Sequence, residues 1–245
     1  MSTNDCSLRS PATPPAACAA DSHSLAGARS LASVDDVPVI RPFDALLLDI
    51  GDVITAPVWD QFDELEAVTG RTLIGRGPDD PDDDLWLQHK RGEITFLEYW
   101  EQYAERNGFA DWRDLFRQLG THLPHRFGDP DAYALMADAR SAGYKVGVLT
   151  NDGVGVNGTE FFAGIPEFQQ LDAFVDARAN GFAKPDPEPY LRAADELDVE
   201  PARVVFLDDT QACVDGAERV GMTAVRVNPI DKRAAFARTR SLLGL

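Results

Sequence analysis

A chain of 245 residues is long enough for one domain of ordinary size carrying a smaller insertion. Its formal net charge of −18 and pI near 4.5 argue against nucleic-acid partners, whose affinity is built largely from Lys and Arg neutralising phosphates. No apolar stretch approaches the ~18 residues of a membrane span, and the N-terminus lacks the basic and apolar blocks of a secretory signal, so a cytoplasmic protein with no membrane partner is expected.

Residues 1–40 are rich in Ala, Ser and Pro, with too little apolar bulk to offset the entropy of ordering, and predict a disordered tail. The apolar run from Phe43 to Ile50 suits a strand buried on both faces of a parallel sheet. The next comparable run, Lys145 to Leu149, comes almost a hundred residues later. Between them the pattern is helical and aromatic: Trp59 to Thr69, Leu85 to Lys90, Thr95 to Asn107 and Asp111 to Leu119. Phe96, Trp100 and Tyr103 fall at i, i+4 and i+7, one apolar stripe. A connection this long predicts an inserted helical subdomain over 57–126, with 41–56 and 127–245 forming the core domain. Helix and strand then alternate: helices at Asp131 to Ser141, Gly158 to Ala163, Pro187 to Leu197, Gln211 to Val220 and Asp231 to Leu243, and strands at Ala173 to Ala177, Val204 to Leu207 and Ala224 to Val227. This order predicts an α/β fold with a doubly wound parallel sheet.

Three of the strands stop at a residue suited to phosphate chemistry: Asp49, Thr150, and the pair Asp208 and Asp209. In open α/β sheets ligands bind just beyond the carboxyl ends of strands, so these residues can converge. A carboxylate at Asp49 can attack phosphorus and form an acyl phosphate. Adjacent carboxylates at 208 and 209 repel one another unless a cation is present, and Mg²⁺ takes hard oxygen ligands of this kind. The Thr150 hydroxyl and Asn151 suit non-bridging phosphate oxygens. Lys184, in GFAKPDP, supplies a cation for a phosphoryl group. Taken singly, Asp49 also reads as a turn residue, Asp209 as a helix cap and Lys184 as a solvated surface cation; their order along the chain is what points to phosphoryl transfer.

The segments ALLLDIGDVIT, KVGVLTND, GFAKPDPEPY and RVVFLDDT together resemble the four motifs of the haloacid dehalogenase superfamily, in particular its Mg²⁺-dependent phosphatases. The resemblance covers roughly Phe43 to Val227. It implies a Rossmann-like core with a small helical cap, Asp49 as nucleophile, Thr150 and Lys184 as phosphate-binding catalytic residues, and Mg²⁺ held by Asp49, Asp208, Asp209 and the Gly51 carbonyl. The implied substrate is a small phosphorylated metabolite. One departure stands out: two residues after the nucleophile the phosphatases of this superfamily commonly carry a second Asp, the general acid, and here the residue is Gly51. Asp52, one step further, is expected to point elsewhere. Two alternatives follow, a metal-independent 2-haloacid dehalogenase using Asp49 on carbon, and a non-catalytic protein that binds a phosphometabolite or a partner. Substrate identity and oligomeric state are not legible.

Other features read more simply. The acidic run from Pro78 to Asp84 reads as a solvated loop. His89, Lys90 and Arg91 suit either a helix C-terminus or contact with an anionic substrate, and His122 and His125 read as loop residues. Cys6, Cys18 and Cys213 form neither a metal spacing nor a disulfide framework.

Overall fold

The computed structural model describes residues 41–245; the predicted tail, with Cys6 and Cys18, lies outside the described residues. The elements in chain order are β1 (Ala45–Leu48), α1 (Phe62–Thr69), α2 (Asp84–Lys90), α3 (Phe96–Arg106), α4 (Trp112–His122), α5 (Pro130–Ser141), β2 (Lys145–Thr150), α6 (Gly153–Asn157), α7 (Thr159–Ala163), β3 (Ala173–Asp176), α8 (Pro187–Glu196), β4 (Val204–Asp208), α9 (Gln211–Arg219), β5 (Thr223–Arg226) and α10 (Arg233–Leu243). The five strands form one parallel sheet in the order β3-β2-β1-β4-β5, as the alternation of elements predicts. Strand order reverses beside β1, so β1 and β4 lie side by side with Leu48 opposite Leu207. That reversal is where open α/β sheets bind ligands.

Period-two alternation sorts each strand between two faces. Leu46, Leu48, Val146, Val148, Val205 and Leu207 pack against Leu135, Met136 and Ala139 of α5 and Phe236 of α10. On the opposite face Leu47, Leu149 and Phe206 meet Tyr190, Ala193 and Ala194 of α8 and Ala217 of α9. Because both faces are covered, the strands read as continuous apolar runs. No helix among the described residues is long and apolar enough to cross a membrane.

Helices α1 to α4 make up the insertion between β1 and β2, with an apolar interior of its own that includes Trp59, Phe62, Trp86, Tyr99, Trp100, Tyr103 and Leu115. Helix α3 opens with a reciprocal cap, the Thr95 side chain accepting from Glu98 N and Glu98 accepting from Thr95 N, which satisfies two of its free first-turn donors. The acidic run is not wholly solvated. Asp83 is 2% exposed, because its carboxylate accepts from Gly77 N (2.9 Å), Trp86 N (3.1 Å) and Tyr99 Oη (3.2 Å); three donors offset the cost of burying the charge.

Gly77, which donates to Asp83, has φ +61, and a Cβ there would lie 1.9 Å from Trp59 Nε1. Left-handed strain and overpacking together make Gly77→Ala destabilising by about 2–4 kcal/mol. Urea denaturation should show a lower midpoint, and an unchanged midpoint would contradict the close packing of Gly77 on Trp59.

Sequence periodicity joins α6 and α7 less well. Only Gly158 to Ala163 reads as helical, whereas the chain forms two short helices separated at Gly158, whose φ is +81. The β-branched, glycine-rich segment Gly153 to Asn157 has low helix propensity; its first turn is tied instead by the Asp176 carboxylate, which accepts from Val154 N at 2.8 Å.

Candidate active site

Asp49 follows β1 directly. Its N–H donates to Leu207 O at 2.9 Å, extending the ladder to β4, and its Oδ1 accepts from Ile50 N at 2.7 Å. The chain then makes one wide turn, closed by Thr55 N donating to Ile50 O at 3.0 Å. Gly51 stays extended (φ −60, ψ 128), and Asp52 takes the left-handed conformation (φ 54, ψ 6), which Asp tolerates better than most side chains. Beneath the turn sits Lys232, a buried residue whose Nζ donates to Val53 O at 3.3 Å and to Thr55 O and pairs with Asp129 Oδ2 at 3.4 Å. Nothing in its sequence context marks Lys232, since its role comes from a contact across almost the whole chain.

Lys184 ties the strand ends together. Its Nζ lies 3.0 Å from Asp49 Oδ1 and 2.7 Å from Asp208 Oδ2, and donates to Leu149 O at 3.0 Å. Burial opposes its charge, but Asp49 and Asp208 outweigh that and hold its pKa above the ordinary lysine value. The lysine is therefore a fixed ammonium. Asn151 positions it: its Oδ1 accepts from Lys184 N at 2.7 Å and its Nδ2 donates to Lys184 O at 3.1 Å. The side chain of Asn151, expected from sequence to meet phosphate, is thus engaged with the loop that carries Lys184. Thr150 ends β2, buried and lining the same cavity.

Carboxylate oxygens of Asp49, Asp208 and Asp209 lie within 4.8 Å of one another. Asp208 is anchored, its Oδ1 accepting from Thr210 N at 2.8 Å. Asp209 does not cap α9, whose first turn receives no side-chain cap. Burial pushes the Asp49 carboxyl up to about 6, against the pull of Lys184 and with Asp208 adding repulsion. Asp209 is pushed up to about 8 by burial and then by the charges of Asp52, Asp49 and Asp208. Crowded carboxylates of this kind form a site that a metal ion would stabilise, since a cation favours their ionised forms.

Asp52 is not turned away from this group, contrary to the expectation from its place one step past Gly51. The left-handed backbone brings it to the wall of the same cavity, where burial pushes its carboxyl up to about 6 against the attraction of Lys232. Cys213 is buried at the floor, and burial pushes its thiol up to about 12, so it is held neutral.

Asp49, Asp52, Asp152, Asp208, Asp209 and Lys184 line a cavity of about 500 Å³, within the ~300–1,000 Å³ of small-molecule pockets. Its upper wall comes from the insertion, through Phe96, Leu97, Trp100, Trp112, Phe116 and Leu119. His89, Lys90 and Arg91 are not among the lining residues; they close α2, where cations complement the helix macrodipole, and Arg91 pairs with Glu93 at 2.6 Å. His125 pairs with Glu64 at 3.0 Å. Between insertion and core, Arg113 of α4 reaches Asp152 at 2.8 Å, a contact that sequence spacing gives no means of finding.

Among known proteins, the chain is 36% identical over 101 residues to phosphatase MT3486 of Mycobacterium tuberculosis, a stretch covering 41% of this chain and 46% of that protein's length. It is 29% identical over 174 residues to (S)-2-haloacid dehalogenase 1 of a Pseudomonas species, covering 71% of each. The crystal structure of a HAD phosphatase from Thermococcus onnurineus superimposes with a TM-score of 0.50 at 22% identity, over 82% of this chain and 98% of that one, which speaks to the fold alone. The family model of the haloacid dehalogenase-like hydrolases matches residues 43–221, from the first core strand to the glycine after α9, and the chain belongs to that family.

Proposed function

We propose that the protein is a Mg²⁺-dependent phosphatase that removes phosphate from a small phosphorylated molecule through an aspartyl phosphate on Asp49. The observation that carries this reading is the meeting of the Asp49, Asp208 and Asp209 oxygens within 4.8 Å beside a buried lysine. An all-oxygen donor set fits Mg²⁺, with Asp49, Asp208, Asp209 and the Gly51 carbonyl as the groups that would hold it. When bound, the ion supplies charge neutralisation for the phosphoryl oxygens.

The chain's own residues do the rest. Asp49 attacks phosphorus with one carboxylate oxygen, the bond from phosphorus to the ester oxygen breaks, and the leaving alkoxide or phenoxide takes up a proton. Water then attacks the aspartyl phosphate, releasing inorganic phosphate and restoring Asp49. Lys184 balances charge on Asp49, Asp208 and the phosphoryl group, while Thr150 offers its hydroxyl to a non-bridging oxygen.

Wild-type protein with Mg²⁺ should release inorganic phosphate from para-nitrophenyl phosphate, stop on chelation and resume when Mg²⁺ is restored. Mg²⁺ should also raise the thermal midpoint, by the equivalent of about 2.7 kcal/mol at a hundredfold excess over Kd, and Asp208→Asn should remove that shift. The similarity to 2-haloacid dehalogenases supports a second reading, hydrolysis at carbon without a metal. Halide release from 2-chloropropionate in the presence of chelator, with no phosphate release, would establish it in place of the first.

Gly51 offers no acid two residues after the nucleophile. General acid catalysis contributes ~10²- to 10⁴-fold, so its loss falls hardest on poor leaving groups. Activated esters such as acyl, aryl and sugar 1-phosphates should turn over faster than simple alkyl phosphates. Equal rates irrespective of leaving-group pKa, with chemistry rate-limiting, would mean that another residue delivers the proton.

A further inference from the structure

The two ends of the cavity differ in character. Its floor holds Asp49, Asp52, Asp152, Asp208 and Asp209 against a single lining cation, Lys184, which already pairs with two of those acids. Its upper wall carries the six apolar side chains of the insertion named above and, among the described residues, no Lys, Arg or His. Arg113 of α4 is not a lining residue and is paired with Asp152 at 2.8 Å. Gln61, a polar lining residue of the insertion, has its amide nitrogen within 3.4 Å of the Ala56 and Pro57 carbonyls.

Such a site accepts one phosphoryl group at the floor and disfavours a second anion, since among the described residues no unpaired cation lines it. A sugar laid on those six side chains would leave the hydroxyls facing them without hydrogen-bond partners, at a cost in affinity, with Asn157 of α6 a polar lining side chain nearby. An apolar body gains there instead, because every methylene or ring edge laid on Phe96, Trp112 or Phe116 leaves water. The cavity of about 500 Å³ corresponds to on the order of 15 water-sized units of about 30 Å³, enough for phosphate and a body of roughly ten carbons.

Building on the phosphatase reading, we infer that the substrate is the monophosphate of an uncharged, apolar alcohol, aromatic or unsaturated, of about that size. Leu97 serves as the specificity residue at the rim: it lines the cavity yet is 53% exposed, so it meets the substrate body without being needed for the fold.

The test uses the full chain with Mg²⁺ and four probes: 1-naphthyl phosphate, geranyl phosphate, glucose 1-phosphate and fructose 1,6-bisphosphate. Calorimetric binding to Asp49→Asn separates affinity from leaving-group chemistry, and phosphate release by the wild type is followed in parallel, with acetyl phosphate as a small control. Naphthyl and geranyl phosphates should bind about a hundredfold more tightly than glucose 1-phosphate, with the bisphosphate weakest. Their ratio reports whether the body is flat or flexible. Leu97→Lys should weaken both apolar esters about tenfold. Equal or tighter binding of glucose 1-phosphate or the bisphosphate would overturn the apolar assignment while leaving the phosphatase reading intact, provided wild type still releases phosphate. No phosphate from any ester, acetyl phosphate included, would remove the phosphatase reading and this inference with it.

Discussion

Asp49→Asn should abolish phosphate release, by at least about 10⁴-fold, the scale on which removing a member of a covalent machinery costs an enzyme. The amide is the same shape, so the hydrogen bond from Ile50 N survives on the remaining carbonyl oxygen. What it loses is the nucleophilic lone pair with its charge, and therefore the acyl phosphate. The change should not unfold the protein. Wild-type Asp49 is a buried carboxyl whose pKa is driven up to about 6, chiefly by burial, so its charge is a cost to folding at neutral pH, and neutralising it relieves repulsion with Asp208. A folded, inactive Asp49→Asn protein with an unchanged or raised thermal midpoint in chelator is the expected outcome; retention of even a tenth of the wild-type rate would exclude Asp49 as nucleophile.

Lys184→Met should damage both activity and stability. Its ammonium contacts Asp49 at 3.0 Å and Asp208 at 2.7 Å, and Asp208 is 1% exposed. Removing one partner of a buried ion pair leaves an uncompensated charge and costs about 3–5 kcal/mol. Loss of one preorganised charge at the phosphoryl site costs catalysis about 10²- to 10³-fold. The lysine's folded pKa is raised above its ordinary value, so the contribution is fully present below the unfolded lysine pKa and is lost only as pH climbs beyond it, far into the alkaline range. Stability of the wild type should therefore not depend on Lys184 titration near neutrality. The variant should gain more stability than the wild type as acid protonates Asp49, whose buried charge then has no ammonium beside it. Denaturation midpoints of both proteins between pH 5 and about 8 check this; a variant as stable as wild type at pH 8 would mean that the carboxylates do not depend on Lys184.

Much of this arrangement is legible in the sequence because it is repeated in kind. Each of Asp49, Thr150 and Asp208 ends or directly follows a short apolar run, and a parallel sheet gathers such ends whatever their separation along the chain. The helical insertion shows through the stripe Phe96, Trp100 and Tyr103 and through the length of the gap between strands. Other residues leave no local signal. Lys232 and Asp129 brace the first turn from distant segments, Asn151 spends its side chain on Lys184, and Asp83 is buried only because Gly77, Trp86 and Tyr99 supply donors. Asp52 misleads for a backbone reason, since its position predicts a side chain turned away, and φ +54 returns it to the cavity. The apolar upper wall is likewise invisible to periodicity, which marks Phe96 and Trp100 as facing inward but does not say whether they face a core or a ligand.

The most direct test of the central claim is a crystal structure of the protein with Mg²⁺ and beryllium fluoride, a mimic of a phosphoryl group on carboxylate. Beryllium should be bonded to an oxygen of Asp49 and one ion should lie about 2.1 Å from oxygens of Asp49 and of the 208–209 pair, with Lys184 Nζ beside the fluorides. Beryllium fluoride on another side chain, or an ion bound without Asp49, would contradict it.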